Sequence, residues 1–275
     1  MKSKSLILSI SCALIFFLIQ FITLADYGTS WDETLHFSRG HFFLNYFLTG
    51  QKDYSSVNPE RKSFYQLDYQ TGDFWFEDTA GHPPINGISA ATFNYLFYQK
   101  LNWLSDIYSY QLFNITISTL LVFVTVAFAV ETIGIFGALV AFLALVTYPL
   151  FFAEAHFNVK DPAETALFAA TIWAFYKSLE KTSWKWLLGS VIFFSLALGT
   201  KFNILFLPFI IIPYLIIRYW SNIKRPRTIK IPGKFWVVFL LSPLIVAIIF
   251  VGSWPMLWVN WPESILNVFG YYKEI

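Results

Sequence analysis

The sequence predicts an all-α, polytopic membrane protein with about seven transmembrane helices and a large first outer loop that contains amphipathic juxtamembrane helices. Three observations predict it. Charged residues are 13% and hydrophobic residues 56% of the 275-residue chain, whereas a soluble domain carries about 25% charge. Several uncharged runs can cross about 30 Å of hydrocarbon, which takes about 20 helical residues. Aromatic side chains reach 21%, as suits long membrane interfaces. The net charge of +2 gives no sign of a nucleic-acid partner. The lone cysteine, Cys12, lies in an apolar run and has no intramolecular disulfide partner.

The spans follow in order. The first covers 6–25. Lys2 and Lys4 precede it, but its apolar region is long and its cleavage signal poor, which predicts an uncleaved anchor. The next two, 108–130 and 133–153, are equally free of charge. Three shorter runs fall at 163–180, 185–200 and 202–220, with flanking Lys and Arg residues that can snorkel. A last span at 235–254 ends where Pro255 and Pro262 lead the chain out of the helix. The chain reads as one membrane domain, 1–275.

Basic residues orient these spans, because cytoplasmic loops collect Lys and Arg. With the N-terminus inside, eleven of the nineteen basic residues fall in short inner segments: Lys2, Lys4, Lys177, Lys181, Lys185, Arg218, Lys224, Arg225, Arg227, Lys230 and Lys234. The outer loop, 26–107, then holds five basic residues against ten acidic ones, and every Asp and His of the chain lies on the outer face. Within that loop, Thr34 to Leu48 is amphipathic, with Phe37, Phe42, Phe43, Tyr46 and Phe47 available to the interface. A polar stretch, Thr49 to Thr79, leads to Gly81-His82-Pro83-Pro84, whose prolines force an extended or turned backbone. The run Ile85 to Leu104 reads as a helix along the outer surface.

Four sites at the outer ends of the spans carry residue types suited to chemistry. Trp31-Asp32-Glu33 places adjacent carboxylates at a membrane surface, where repulsion and desolvation raise at least one pKa and suit it to be a general base. The same acids would also serve as an N-terminal cap for the following helix. His82 could be aimed by its proline elbow, which is otherwise an ordinary turn. In Asn158-Val159-Lys160-Asp161-Pro162, with His156 upstream, Asp161 and Pro162 suit a helix start. Lys160 beside Asp161 at the membrane edge reads as functional, because charge is costly there. In Gly199-Thr200-Lys201 the lone cation either anchors a helix end or holds a lipid-linked phosphate. Asp32 and His36 are four apart and could share an ion. No third ligand is evident, so no metal is required, though a divalent ion stays open. Phosphate-loop, dinucleotide and paired-cysteine motifs do not occur.

Taken in order, Asp32-Glu33, His82-Pro83-Pro84, Asp161 and Thr200-Lys201 resemble the polyprenyl-phosphate-dependent glycosyltransferases of the C superfamily. The likeness is to the family of protein O-mannosyltransferases and aminoarabinose transferases. Phe151-Phe152 and Trp254-Pro255-Met256-Leu257-Trp258 share that family's texture. The resemblance implies sugar transfer from a polyprenyl-phosphate donor in the bilayer to a hydroxyl acceptor on a protein, lipid or glycan, with inversion. It implies catalytic roles for Asp32, Glu33 and Asp161, with Asp32 as the base. It implies substrate-binding roles for His82, His156, Lys160 and Lys201, and a plasma-membrane location in a prokaryote. Members run well beyond 275 residues, so it also implies a truncated chain. Two rival readings are a lipid or sugar transporter or flippase subunit, and a non-catalytic truncated relative. A transporter would hold its charges near the bilayer midplane.

Overall fold

The structure, a computed structural model, describes residues 3–66, 76, 81–224, 232–259 and 262–271. Lys2, Arg225, Arg227, Lys230 and part of the polar 49–79 stretch lie outside them. The described residues form eleven α-helices and no strand. They are α1 (Ser3–Ile22), α2 (Trp31–Thr49), α3 (Ile85–Asn94), α4 (Asp106–Thr132), α5 (Gly134–Val146), α6 (Pro149–Phe157) and α7 (Asp161–Glu180). After these come α8 (Trp184–Leu198), α9 (Leu207–Lys224), α10 (Gly233–Ser253) and α11 (Glu263–Tyr271). The molecule is an all-α polytopic membrane protein.

Each span expected from the sequence is built mainly of helix. By length and apolar composition, Lys4–Ile22, Asp106–Thr132, Phe202–Trp220 and Gly233–Ser253 can each cross a bilayer, and the bent pair α5–α6 passes the same test when its two helices are taken together. The other two segments differ. The α7 helix is long enough but carries Glu164, Lys177 and Glu180, and α8 has only 15 residues. Exposed apolar side chains such as Phe209, Ile217 and Leu240 cover α9 and α10, a surface that suits lipid rather than water.

One span departs from expectation. The 133–153 run is not a single rod, because α5 and α6 meet at 64°. Tyr148 precedes Pro149, whose ring disfavours helical backbone at the residue before it. Tyr148 is accordingly extended, at φ −74° and ψ 109°. The predicted helix 85–104 also stops early. It ends at Asn94 and continues as a π-helical turn, Tyr95–Lys100.

Small residues let the helices approach closely, which drives association where lipid supplies no hydrophobic contrast. Ala163, Ala166, Ala170 and Ala174 form a buried stripe on α7 at helical spacing. A core of Cys12 and Phe16 from α1, Val122 and Val126 from α4, and Phe151 from α6 joins these helices. At the end of the bundle holding the C-termini of α4 and α7, the Lys177 ammonium bonds the Glu131 carboxylate, which also accepts from Trp173 Nε1 at 3.2 Å.

The opposite end is capped by α2 and α3. Phe37, Phe42 and Phe43 of α2 are fully buried in protein, while Trp31 in its first turn and Phe47 and Leu48 in its last are exposed. The α2 helix therefore uses most of its aromatic side as core, where the sequence had offered it to the interface. It crosses α3 backbone to backbone: a Cβ on Gly40 would lie 2.1 Å from Gly87 O. Glycine is required at that crossing. The start of α3 is tied to the end of α8 by Ile85 N–H, which donates to Gly199 O at 2.9 Å.

Candidate active site

Three chain segments converge between α2 and the bundle. Ser30 opens α2, and its hydroxyl donates to Phe157 O at 3.1 Å, bringing the first turn of α2 beside the end of α6. Asn158 then folds the chain into α7: its side-chain oxygen accepts from Lys160 N–H and Asp161 N–H, both at 3.0 Å. The Ile85–Gly199 bond brings in the third segment, where Lys201 stands in extended backbone between α8 and α9.

These segments enclose a cavity of about 330 Å³ lined by Asp32, Glu33, Asn158, Lys160, Asp161 and Lys201, among others. Two ion pairs face it. Lys160 Nζ stands 3.5 Å from Asp32 Oδ2, with the carboxylate two-thirds exposed. Lys201 Nζ donates to Asp161 Oδ1 at 2.6 Å, while Asn158 Nδ2 donates to Asp161 Oδ2 at 3.1 Å. Partial burial works to raise the Asp161 carboxyl. The Lys201 and Asn158 bonds, with Lys160 beyond, outweigh it and hold the carboxyl below its ordinary value.

Asp32 and Glu33 are adjacent but opposite in setting, because successive residues on a helix point about 100° apart. Both line the cavity, but the Asp32 carboxylate is two-thirds exposed whereas Glu33 is fully buried. Glu33 Oε2 accepts from Ser30 N–H and Oε1 from Asn114 Nδ2, each at 2.9 Å. Burial nevertheless pushes its carboxyl up to about 8, against the Ser30 and Asn114 bonds. At neutral pH Glu33 is mostly a neutral acid. It closes the first turn of α2, the capping task that the sequence assigned to this acidic pair as its structural alternative.

Two predicted residues are not brought to the cavity. His156 is fully buried and stacks on Tyr27 with ring centroids 4.0 Å apart. Its Nε2 lies 3.1 Å from Gln20 O and its Nδ1 3.0 Å from Phe152 O, so it pins α6 to α1 and offers no open nitrogen to a substrate. His82 lies one layer behind, edge-on to His36 at 5.8 Å and to Tyr271 at 5.8 Å, while its carbonyl accepts from Arg39 Nη1 at 2.6 Å. His36 sits between the cavity and His82. Burial, together with Arg39, Lys160 and His82 nearby, pushes its pKa well below the ordinary histidine value. Sequence reasoning passed over Asn158, Asn114 and Ser30 as site residues. Asn158, three residues before Asp161, carried a readable turn signal, because Asn oxygens accept from backbone N–H groups two and three residues on. Asn114, inside an apolar run, carried none. Among the described residues, no three His, Cys, Asp or Glu side chains gather in a metal-holding group.

The fold and this cavity define a multi-pass membrane protein with paired acids and ammonium groups at one end of its bundle. The model of the dolichyl-phosphate-mannose-protein mannosyltransferase family matches residues 82–251, more than half of the chain. The protein belongs to that family and is a membrane glycosyltransferase. The matched region contains His82, His156, Lys160, Asp161 and Lys201 but begins after Asp32 and Glu33. No curated protein and no solved structure matches the chain.

Proposed function

We propose that the chain transfers a sugar from a polyprenyl-phosphate donor to a hydroxyl acceptor at the non-cytoplasmic face, inverting the anomeric carbon. The observation that carries this reading is the convergence of Asp32, Lys160, Asp161 and Lys201 on one cavity at the end of the spans. A hydroxyl is a poor nucleophile at neutral pH, and a positioned carboxylate base supplies what the step needs. Asp32 is the base: its carboxylate is two-thirds exposed at the cavity, 3.5 Å from Lys160 Nζ, where an acceptor hydroxyl can reach it.

In the reaction the acceptor O–H gives its proton to Asp32 while its oxygen bonds the anomeric carbon. The bond from that carbon to the phosphate oxygen breaks, and its electron pair leaves with polyprenyl phosphate. Charge growing on the leaving phosphate needs fixed cations. Lys201 and Lys160 fill that role, and Asp161 and Asn158 hold Lys201 and the 158–161 turn in place. A monophosphate leaving group requires no metal, and none is assigned. Charges gathered at the helix ends weigh against a transporter, which would place them near the midplane.

The experiment compares the purified chain with Asp32→Asn in release of polyprenyl phosphate from a panel of lipid-linked sugars. A fall of about 100-fold or more is expected, the usual contribution of a general base. Undiminished turnover in Asp32→Asn would remove Asp32 from the chemistry.

A further inference from the structure

A second, larger cleft lies away from the cavity just described. It encloses about 470 Å³ between the last half of α2, the connection 56–66 and the π-helical turn Tyr95–Lys100, a size typical of small-molecule sites. Its floor is polar and buried: His41, Asn45 and Gln66 are each at most 7% exposed. These groups are held in place by hydrogen bonds. His41 bonds the Tyr110 hydroxyl, Asn45 Nδ2 donates to Asp53 O at 2.7 Å, and Gln99 Nε2 donates to Gln66 Oε1 at 2.6 Å. Arg61 and Lys100 are the charged residues of its lining, which includes no carboxylate among the described residues.

The π-helical turn supplies Tyr95, Gln99 and Lys100 to the wall. Such turns are rare and occur often at functional sites, because they re-aim side chains at a cost in helix stability. The chemistry of the lining points to one ligand class. Side-chain amides of Asn and Gln both donate and accept, which matches rows of sugar hydroxyls, and the Tyr95 ring holds the Lys100 ammonium 5.1 Å from its centroid at the cleft wall. Arg and Lys add attraction for anions. We propose that this cleft binds an acidic saccharide, a sugar chain bearing carboxylates. Asn45 is thirteen residues beyond Asp32 on α2, or about 20 Å at 1.5 Å per residue. The cleft therefore holds either a distant part of a long ligand or a separate molecule. The proposal stands independently of the role given to Asp32.

The test is calorimetric titration of the full chain in detergent with tetragalacturonate and with neutral maltotetraose. Tetragalacturonate should bind about 10-fold or more tightly than maltotetraose, and Lys100→Gln should weaken it by about 10-fold, the worth of one charge-assisted hydrogen bond. Lys100 is exposed, so that variant keeps the fold. The double variant Arg61→Gln/Lys100→Gln should weaken binding further, and Asp32→Asn should bind as wild type does. Equal affinity for the two tetrasaccharides, no binding of tetragalacturonate, undiminished binding by Lys100→Gln, or its loss in Asp32→Asn would each overturn the proposal.

Discussion

Within the cavity, each charged side chain is defined by what surrounds it. Lys201 reaches Asp161 at 2.6 Å yet remains over one-third exposed, so it can answer a phosphate without first being desolvated. Lys201→Met should lower kcat by about 100-fold, the loss typical when one stabilising group is removed from a developing charge. Lys201→Arg should recover part of it. A steady-state assay showing only a raised KM would instead make Lys201 a binding residue. Glu33 presents the reverse case. Its carboxyl, ordinarily near 4.5, is pushed up to about 8 by burial. Between those values the folded protein keeps a proton that the unfolded chain has released, so this residue lowers stability as pH rises through the window. Glu33→Gln carries no such proton. Its melting temperature should fall less than that of wild type between about pH 5 and about pH 8, and parallel curves across that window would refute the assignment.

The packing of one element on another decides whether these residues meet. α2 can approach α3 only because neither Gly40 nor Gly87 has a side chain: a Cβ on Gly87 would stand 2.3 Å from His36 O. Gly40→Ala should destabilise by about 1–3 kcal/mol, the usual cost of overpacking, and should loosen the seat of Asp32. Gly28→Ala, where a Cβ meets nothing within 4 Å, is the matched control. Thermal unfolding in detergent distinguishes them, and equal melting temperatures would show that the crossing tolerates a methyl group. These contacts explain why parts of the site were unreadable in the sequence. Lys160–Asp161 and Lys201 stood out as charges flanking apolar runs. His156 looked similar, but its partners on α1 lie more than 130 positions away, and no local pattern foretells such a contact. Asn114 was hidden for the same reason.

For the whole molecule, the question is which end of the bundle faces the cytoplasm. The helix ends alternate consistently. Asp32, Asp161 and Lys201 share one end, and Glu131–Lys177 and Glu180–Arg218 share the other. The basic loops predict that this second end is cytoplasmic. In a Cys12→Ala background, an impermeant maleimide applied to intact cells should label the Ser55→Cys protein and spare the Lys181→Cys protein. Both positions are exposed. The opposite pattern would invert the topology and move the proposed chemistry to the cytoplasmic side.

The sequence by itself determined the membrane class, the helical character of its apolar runs and the placing of Asp32, Asp161, Lys160 and Lys201 at helix ends. Those properties follow from composition along a line: hydrocarbon excludes charge wherever it occurs, so the charges mark the limits of the spans. Tertiary structure alone decided the pairing of Asp32 with Lys160 and of Asp161 with Lys201, and the division of labour between Asp32 and its neighbour Glu33. A helix turns about 100° per residue, so which of two adjacent acids stays exposed depends on where α3 and α4 press against α2. That contact is made by residues far apart in the chain, and it is fixed only when the helices pack.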